Sequence, residues 1–248
     1  MALAAELQRE WAREGTVAGY GEILVAHAGW TGIGRAWELQ LPAGAPQRPQ
    51  ARRSDKLVSP EPKEAQMKIV VVGRGSVGGG LARLWTNAGH DATALGQDGG
   101  DGSGADVLVV AVPGGSIADA LSKVTGVDGI TTIDATNSLS GPRAGFESLA
   151  LEVKSIVGGP TAKCFNTNFA VIYDQIANQR VPPTSVFAAD PHARSLAEQL
   201  IGDAGFDPLY VGGLENAPTL EAHIAFTMML GRSDLGPYFY RFARPGDL

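Results

Sequence analysis

The sequence predicts an α/β protein, a doubly wound, mostly parallel sheet with a small C-terminal α/β extension. Three observations carry this. From Met67 onward, short apolar runs alternate with longer helix-like stretches. The runs are almost continuously apolar rather than alternating, as strands covered by helices on both faces must be. The first run also leads directly into a glycine-rich turn that opens a helix.

Residues 67–73 (MKIVVVG) read as the first strand, and residues 77–88 as a helix ended by Gly89, since glycine adopts the left-handed conformation a helix stop needs. Residues 92–95 (ATAL), 107–113 (VLVVAVP), 130–135 (ITTIDA), 162–167 (AKCFNT) and 184–189 (TSVFAA) are expected as further strands, with FDPLYVG (206–212) following. Helices are expected at 116–124, 146–153, 168–178 and 191–204, and a C-terminal helix carries His223.

Ahead of Met67 the composition changes. Residues 41–66 contain five prolines and few large apolar side chains, the mark of a solvated linker. Residues 1–40 form an N-terminal extension, poorly ordered in this reading, because some 40 residues is about the lower limit for an independent core. The division is therefore 1–40 extension, 41–66 linker, 67–167 a first α/β domain, and 168–248 a C-terminal region.

Charge and cysteine content narrow the function. The net charge of −6 falls entirely on residues 67–248, so no broad basic field exists to hold a nucleic acid or an anionic membrane. Cys164 is the one cysteine, which excludes an intrachain disulfide and fits a reducing, cytoplasmic setting. Charged residues interrupt the N-terminus before any signal-like apolar stretch forms, and no apolar run of about 18 residues occurs.

Gly73-Arg74-Gly75-Ser76-Val77-Gly78 is a G-x-G-x-x-G loop placed between a strand and a helix, the context that gives the motif its meaning. The first glycine allows the tight turn, the second lets backbone approach a pyrophosphate, and the third permits close helix–strand packing. Free N–H groups and the positive end of the helix dipole then face the anion. Selection between NAD and NADP belongs to the end of the second strand, here Gly96-Gln97-Asp98. Gly96 offers no carboxylate to repel a 2′-phosphate, Arg74 is the nearest cation, and Asp98 could instead bond the ribose hydroxyl.

No other reaction chemistry is legible, and no catalytic residue is assigned. The four histidines are scattered without zinc-ligand spacing, so no metal is expected, and no G-x-S-x-G elbow is present. Asp134, Thr136 and Asn137 (IDATN), like Lys163, Phe165, Asn166 and Thr167 (KCFNT), fall at strand ends, the edge where open α/β sheets place ligands. Cys164 reads as core.

With GRGSVGGG, VAVP, IDATN and KCFNT in this order, residues 67–248 resemble the NADPH-dependent reductases of the deazaflavin coenzyme F420. The resemblance implies a Rossmann domain, a small C-terminal region that helps hold the deazaflavin, and a homodimer. It implies that Gly73, Gly75 and Gly78 hold pyrophosphate, that Val112 and Pro113 border the nicotinamide crevice, and that Asn166 and Thr167 lie near the cofactors. The family's Ser-Arg pair after the second strand is replaced by Gly96-Gln97, which leaves the choice between NADP and NAD open. Hydride transfer between two stacked carriers also explains why no catalytic constellation is needed. Two alternatives stand beside this one: a non-catalytic NADP-binding sensor, and a reductase of another small acceptor of the imine or pyrroline-carboxylate type.

Overall fold

The computed structural model describes residues 66–246, so the extension and all but the last residue of the linker lie outside the described residues. Nine strands are described, seven of them in one sheet whose strands lie in the order Asp91–Leu95, Lys68–Val72, Val107–Val110, Thr132–Asp134, Thr161–Lys163, Thr184–Ala189 and Asp207–Tyr210.

β1 (Lys68–Val72) shows directly how the sheet is covered. Its side chains alternate: Ile69 and Val71 join a core with Leu81 and Trp85 of α1 (Ser76–Ala88) and with Ala197 and Leu200 of α4 (Pro191–Asp203). Val70 and Val72 point the other way, into a second core with Ile117 of α2 (Ile117–Leu121) and Leu149 and Val153 of α3 (Leu149–Val157). A five-residue strand apolar at four positions is thus the local signature of a sheet sandwiched between helices.

β1 pairs in parallel with β2 (Asp91–Leu95) on one side and β4 (Val107–Val110) on the other, Val72 standing beside Leu95 and Val110. The chain therefore winds outward to β2 and then crosses back, leaving a topological switch point between β1 and β4. β6 (Thr132–Asp134) and β7 (Thr161–Lys163) continue the parallel set. β8 (Thr184–Ala189) is antiparallel to β7, and β9 (Asp207–Tyr210) is parallel to β8. The C-terminal extension therefore lengthens the same sheet, and Phe187, Ala197 and Phe206 share the core of Ile69 and Val71.

Several elements differ from the sequence expectation. The strand expected at 162–167 stops at Lys163, because Phe165 turns into the left-handed region (φ 62°) to bury its ring between Trp85 and Phe206. The helix expected at 116–124 is a 3₁₀ turn followed by the five-residue α2, and then by β5 (Val124–Thr125), which pairs with β3 (Gly100–Asp101). The helix expected at 146–153 begins instead at Leu149, where Ser148 Oγ caps it by accepting from the Leu151 N–H at 3.1 Å. Residues Ala170–Asn178 form a 3₁₀ helix, matching the three-residue spacing of its buried Tyr173 and Ile176.

α5 (Ala217–Gly231) closes the described chain's helices. Among the described residues, no helix is long and apolar enough to cross a membrane.

Candidate functional site

Because β1, β2, β4, β6 and β7 all run in one direction, their C-terminal ends and the loops that follow share one edge of the sheet. Most of the expected site residues gather there in a continuous rim. It starts at the glycine loop after β1 and passes to Val112 and Pro113 after β4; Pro113 bridges to Asn137 after β6, and the Gly114 N–H donates to the Asn137 carbonyl at 3.1 Å. Asn137 in turn binds Asn166 after β7: its Nδ2 donates to the Asn166 carbonyl, and Asn166 Nδ2 returns a bond to Asn137 Oδ1 at 3.3 Å.

The three motif glycines do three different jobs. Gly73 has φ 105°, and a Cβ there would stand 2.4 Å from the Ala111 carbonyl oxygen, so the turn presses on the end of β4. A Cβ on Gly78 would lie 1.9 Å from the Gly73 carbonyl oxygen, which fixes how closely α1 meets β1. A Cβ on Gly75 would meet nothing within 4 Å: this position faces open space.

That open space lies at the start of α1. Gly75 is the N-cap and provides no side-chain cap, and the first helical bond runs from the Gly79 N–H to the Gly75 carbonyl at 2.8 Å. The N–H groups before it have no helical partner, and the first turn carries no acidic side chain. α3 is treated differently, its N-terminus being closed by Ser148 and by the Glu221 carboxylate, which accepts from the Leu149 and Ala150 N–H groups at 2.9 and 3.1 Å. Gly75 and Ser76 are exposed. The site therefore fits a dinucleotide diphosphate by its unspent donors, its positive helix end and the open space in front of Gly75.

Behind the rim lies a buried ion cluster that sequence reasoning missed in part. Lys163 is wholly buried; its Nζ donates to Asp134 Oδ2 at 2.8 Å and to the Thr136 carbonyl at 2.6 Å, and it pairs with Glu221 Oε1 at 3.2 Å. Next to Glu221, the Leu220 carbonyl accepts from Asn166 Nδ2 at 2.8 Å. α5 is thus bound to the end of β7 and to the loop that follows it through two successive residues, Glu221 and Leu220. Glu221 left one signal in the sequence, a lone carboxylate inside an apolar helix.

The remaining expected residues are placed as follows. Thr167 is buried, its hydroxyl bonded to Tyr240 OH rather than open to solvent. Gln97 is exposed just past β2, and Gly96 lies under the Arg74 guanidinium. Cys164 is wholly buried, and desolvation, aided by the Asp134 charge and partly opposed by Lys163, pushes its thiol well above the usual range. Since the thiolate is the reactive form, Ellman's reagent at about pH 8 should not label the native protein measurably, and should titrate one thiol per chain in guanidinium. Rapid labelling of the native protein would place Cys164 outside the core.

Fold and site together define an open α/β sheet of the Rossmann type with an open glycine-rich loop at its switch point. The chain is similar in structure to a putative F420-dependent NADP-reductase from Arthrobacter sp. FB24, at 20% identity and a TM-score of 0.61, covering 72% of this chain and all of that one. It is also similar to a hypothetical protein from Sinorhizobium meliloti, at 24% identity and a TM-score of 0.51, covering 62% of this chain and 89% of that one. No protein-family model matches the sequence, and no curated protein does.

Proposed function

We propose that this protein is an NAD(P)-dependent oxidoreductase that moves a hydride between NADPH and a deazaflavin of the coenzyme F420 type. The observation that carries the dinucleotide is the open position at Gly75, in front of the uncapped amides of α1 at the β1/β4 switch point. The acceptor is supported by the order of the GRGSVGGG, VAVP, IDATN and KCFNT segments. Likeness of fold to a protein described as a putative F420-dependent NADP-reductase supports it too.

In this reading the dinucleotide supplies the hydride, and the chain's residues bind and align. The amides from Gly75 to Gly78 hold the diphosphate, Val112 and Pro113 form the wall that a nicotinamide ring would meet, and the Asn137–Asn166 pair fixes the floor between the ends of β6 and β7. The Lys163 cluster keeps that floor attached to α5. Transfer between two carriers in near contact needs orientation above all, which suits a rim built of backbone and amides rather than acids and bases.

The test is a fluorescence titration of the purified chain with NADPH, followed by addition of oxidised F420 and observation of the deazaflavin absorbance. Saturable NADPH binding with bleaching of the deazaflavin band is the expected result. Binding without bleaching would remove the acceptor, and absence of binding to either nicotinamide nucleotide would remove the enzyme.

A further inference from the structure

We infer that Arg74, lying across Gly96, is the residue that reads the 2′-phosphate and makes NADP(H) the preferred dinucleotide; this rests on the dinucleotide reading above and deepens it. The residue comes from the glycine loop, not from the end of the second strand.

Position is the first argument. β1 and β2 end side by side, Val72 beside Leu95, and the Gly73 N–H donates to the Leu95 carbonyl at 3.1 Å. Arg74 therefore leaves the loop next to the end of β2, the place from which the adenosine ribose is read in this class of fold. The second argument is occupancy. A Cβ on Gly96 would lie 2.9 Å from Arg74 Cζ, 3.0 Å from Nε and 3.1 Å from Nη2, so the guanidinium fills the space that a side chain at position 96 would take. Glycine at 96 and arginine at 74 work as a pair.

Charge is the third. Arg74 is exposed, and among the described residues it forms no ion pair or side-chain hydrogen bond. A guanidinium presents a planar fork suited to two phosphate oxygens. Asp98 is the competing group, since a carboxylate there would favour the ribose hydroxyl of NAD. It lies at the tip of a turn closed by the Gly99 N–H donating to the Gly96 carbonyl at 3.2 Å, two residues beyond the position Arg74 covers. Both Gln97 and Asp98 are exposed on that turn.

Titration calorimetry of the full chain with NADPH and NADH tests this. Wild type should bind NADPH at least about tenfold more tightly. Arg74→Gln should lose about 10- to 100-fold in NADPH affinity, the range of a charge-assisted hydrogen bond or two, while NADH affinity stays within about twofold. Gly96→Asp, which displaces the guanidinium and adds a negative charge, should reverse the preference. Raising the salt should shrink the NADPH advantage in wild type but not in Arg74→Gln, because the contact is exposed to solvent. Equal loss of both nucleotides in Arg74→Gln would overturn the inference and leave Arg74 a loop-shaping residue. A wild type that prefers NADH, with the preference lost in Asp98→Asn, would overturn it in favour of the carboxylate. Neither nucleotide binding would overturn the underlying reading as well.

Discussion

Gly75→Ala is expected to weaken NADPH binding about 10- to 100-fold while the protein stays folded, and Gly78→Ala, three residues on, to fail in folding. The two glycines look equivalent in the motif but face opposite ways. At Gly75 the backbone (φ −73°, ψ −165°) suits alanine, and the added methyl enters the open space in front of α1. Stability changes only by the cost of a poorer N-cap, roughly 0.5–1 kcal/mol. A diphosphate held by the amides of Gly75 to Gly78 must retreat from that methyl, losing one or two charge-assisted bonds. At Gly78 the methyl would stand 1.9 Å from a backbone oxygen of the same loop, which cannot move without pulling α1 away from β1. A penalty upward of about 3 kcal/mol follows. Thermal melting and NADPH titration of the two variants separate the effects. A Gly75→Ala protein that binds like wild type would show that no phosphate occupies the space.

This contrast also shows what sequence can carry. The loop is legible because its three glycines have local reasons, all set by a strand, a turn and a helix adjacent in the chain. β8 is legible to the residue, because TSVFAA, apolar over its last four positions, has a proline pair before it and Asp190-Pro191 after it. β3 and β5 were not, since two-residue strands have no period to detect and exist only through pairing with each other. The end of β7 is hidden from the sequence for a different reason. Cys164 and Phe165 have strong strand preference, but Phe165 gains more by turning into the left-handed region and stacking edge-on against Trp85 and Phe206. Tertiary packing overrides local preference there, and the same turn carries Asn166 to Asn137 and Leu220. In the rim, the strand-end residues were legible because a parallel sheet brings all its C-terminal ends to one edge. The partner of Lys163 on α5 was not, because nothing near Glu221 in the chain announces a buried cation.

Lys163→Met should therefore cost more than its place outside the glycine loop suggests, about 3–5 kcal/mol, or on the order of 10 °C in melting temperature. Methionine has similar length and packs well, so the loss would come from charge. Asp134 is wholly buried and Glu221 nearly so, and without Lys163 both carboxylates would face the interior with no cation. Each keeps some compensation: Asp134 accepts from the Thr136 N–H at 2.8 Å, and Glu221 accepts from two N–H groups at the start of α3, where the helix dipole is positive. Removing the charges together should then restore most of the stability, because a neutral, volume-matched replacement for a buried ion cluster avoids its desolvation cost. The triple variant Asp134→Asn, Lys163→Met, Glu221→Gln should melt well above Lys163→Met alone. Hydrogen exchange adds a spatial check. Since Glu221 and Leu220 are the points where α5 is bonded to the rim, the single variant should expose the amides of α5 and the first turn of α3 before those of β1 and β4. A Lys163→Met protein within about 1 kcal/mol of wild type would mean that water already reaches the cluster, and that α5 is held to the rim by packing instead.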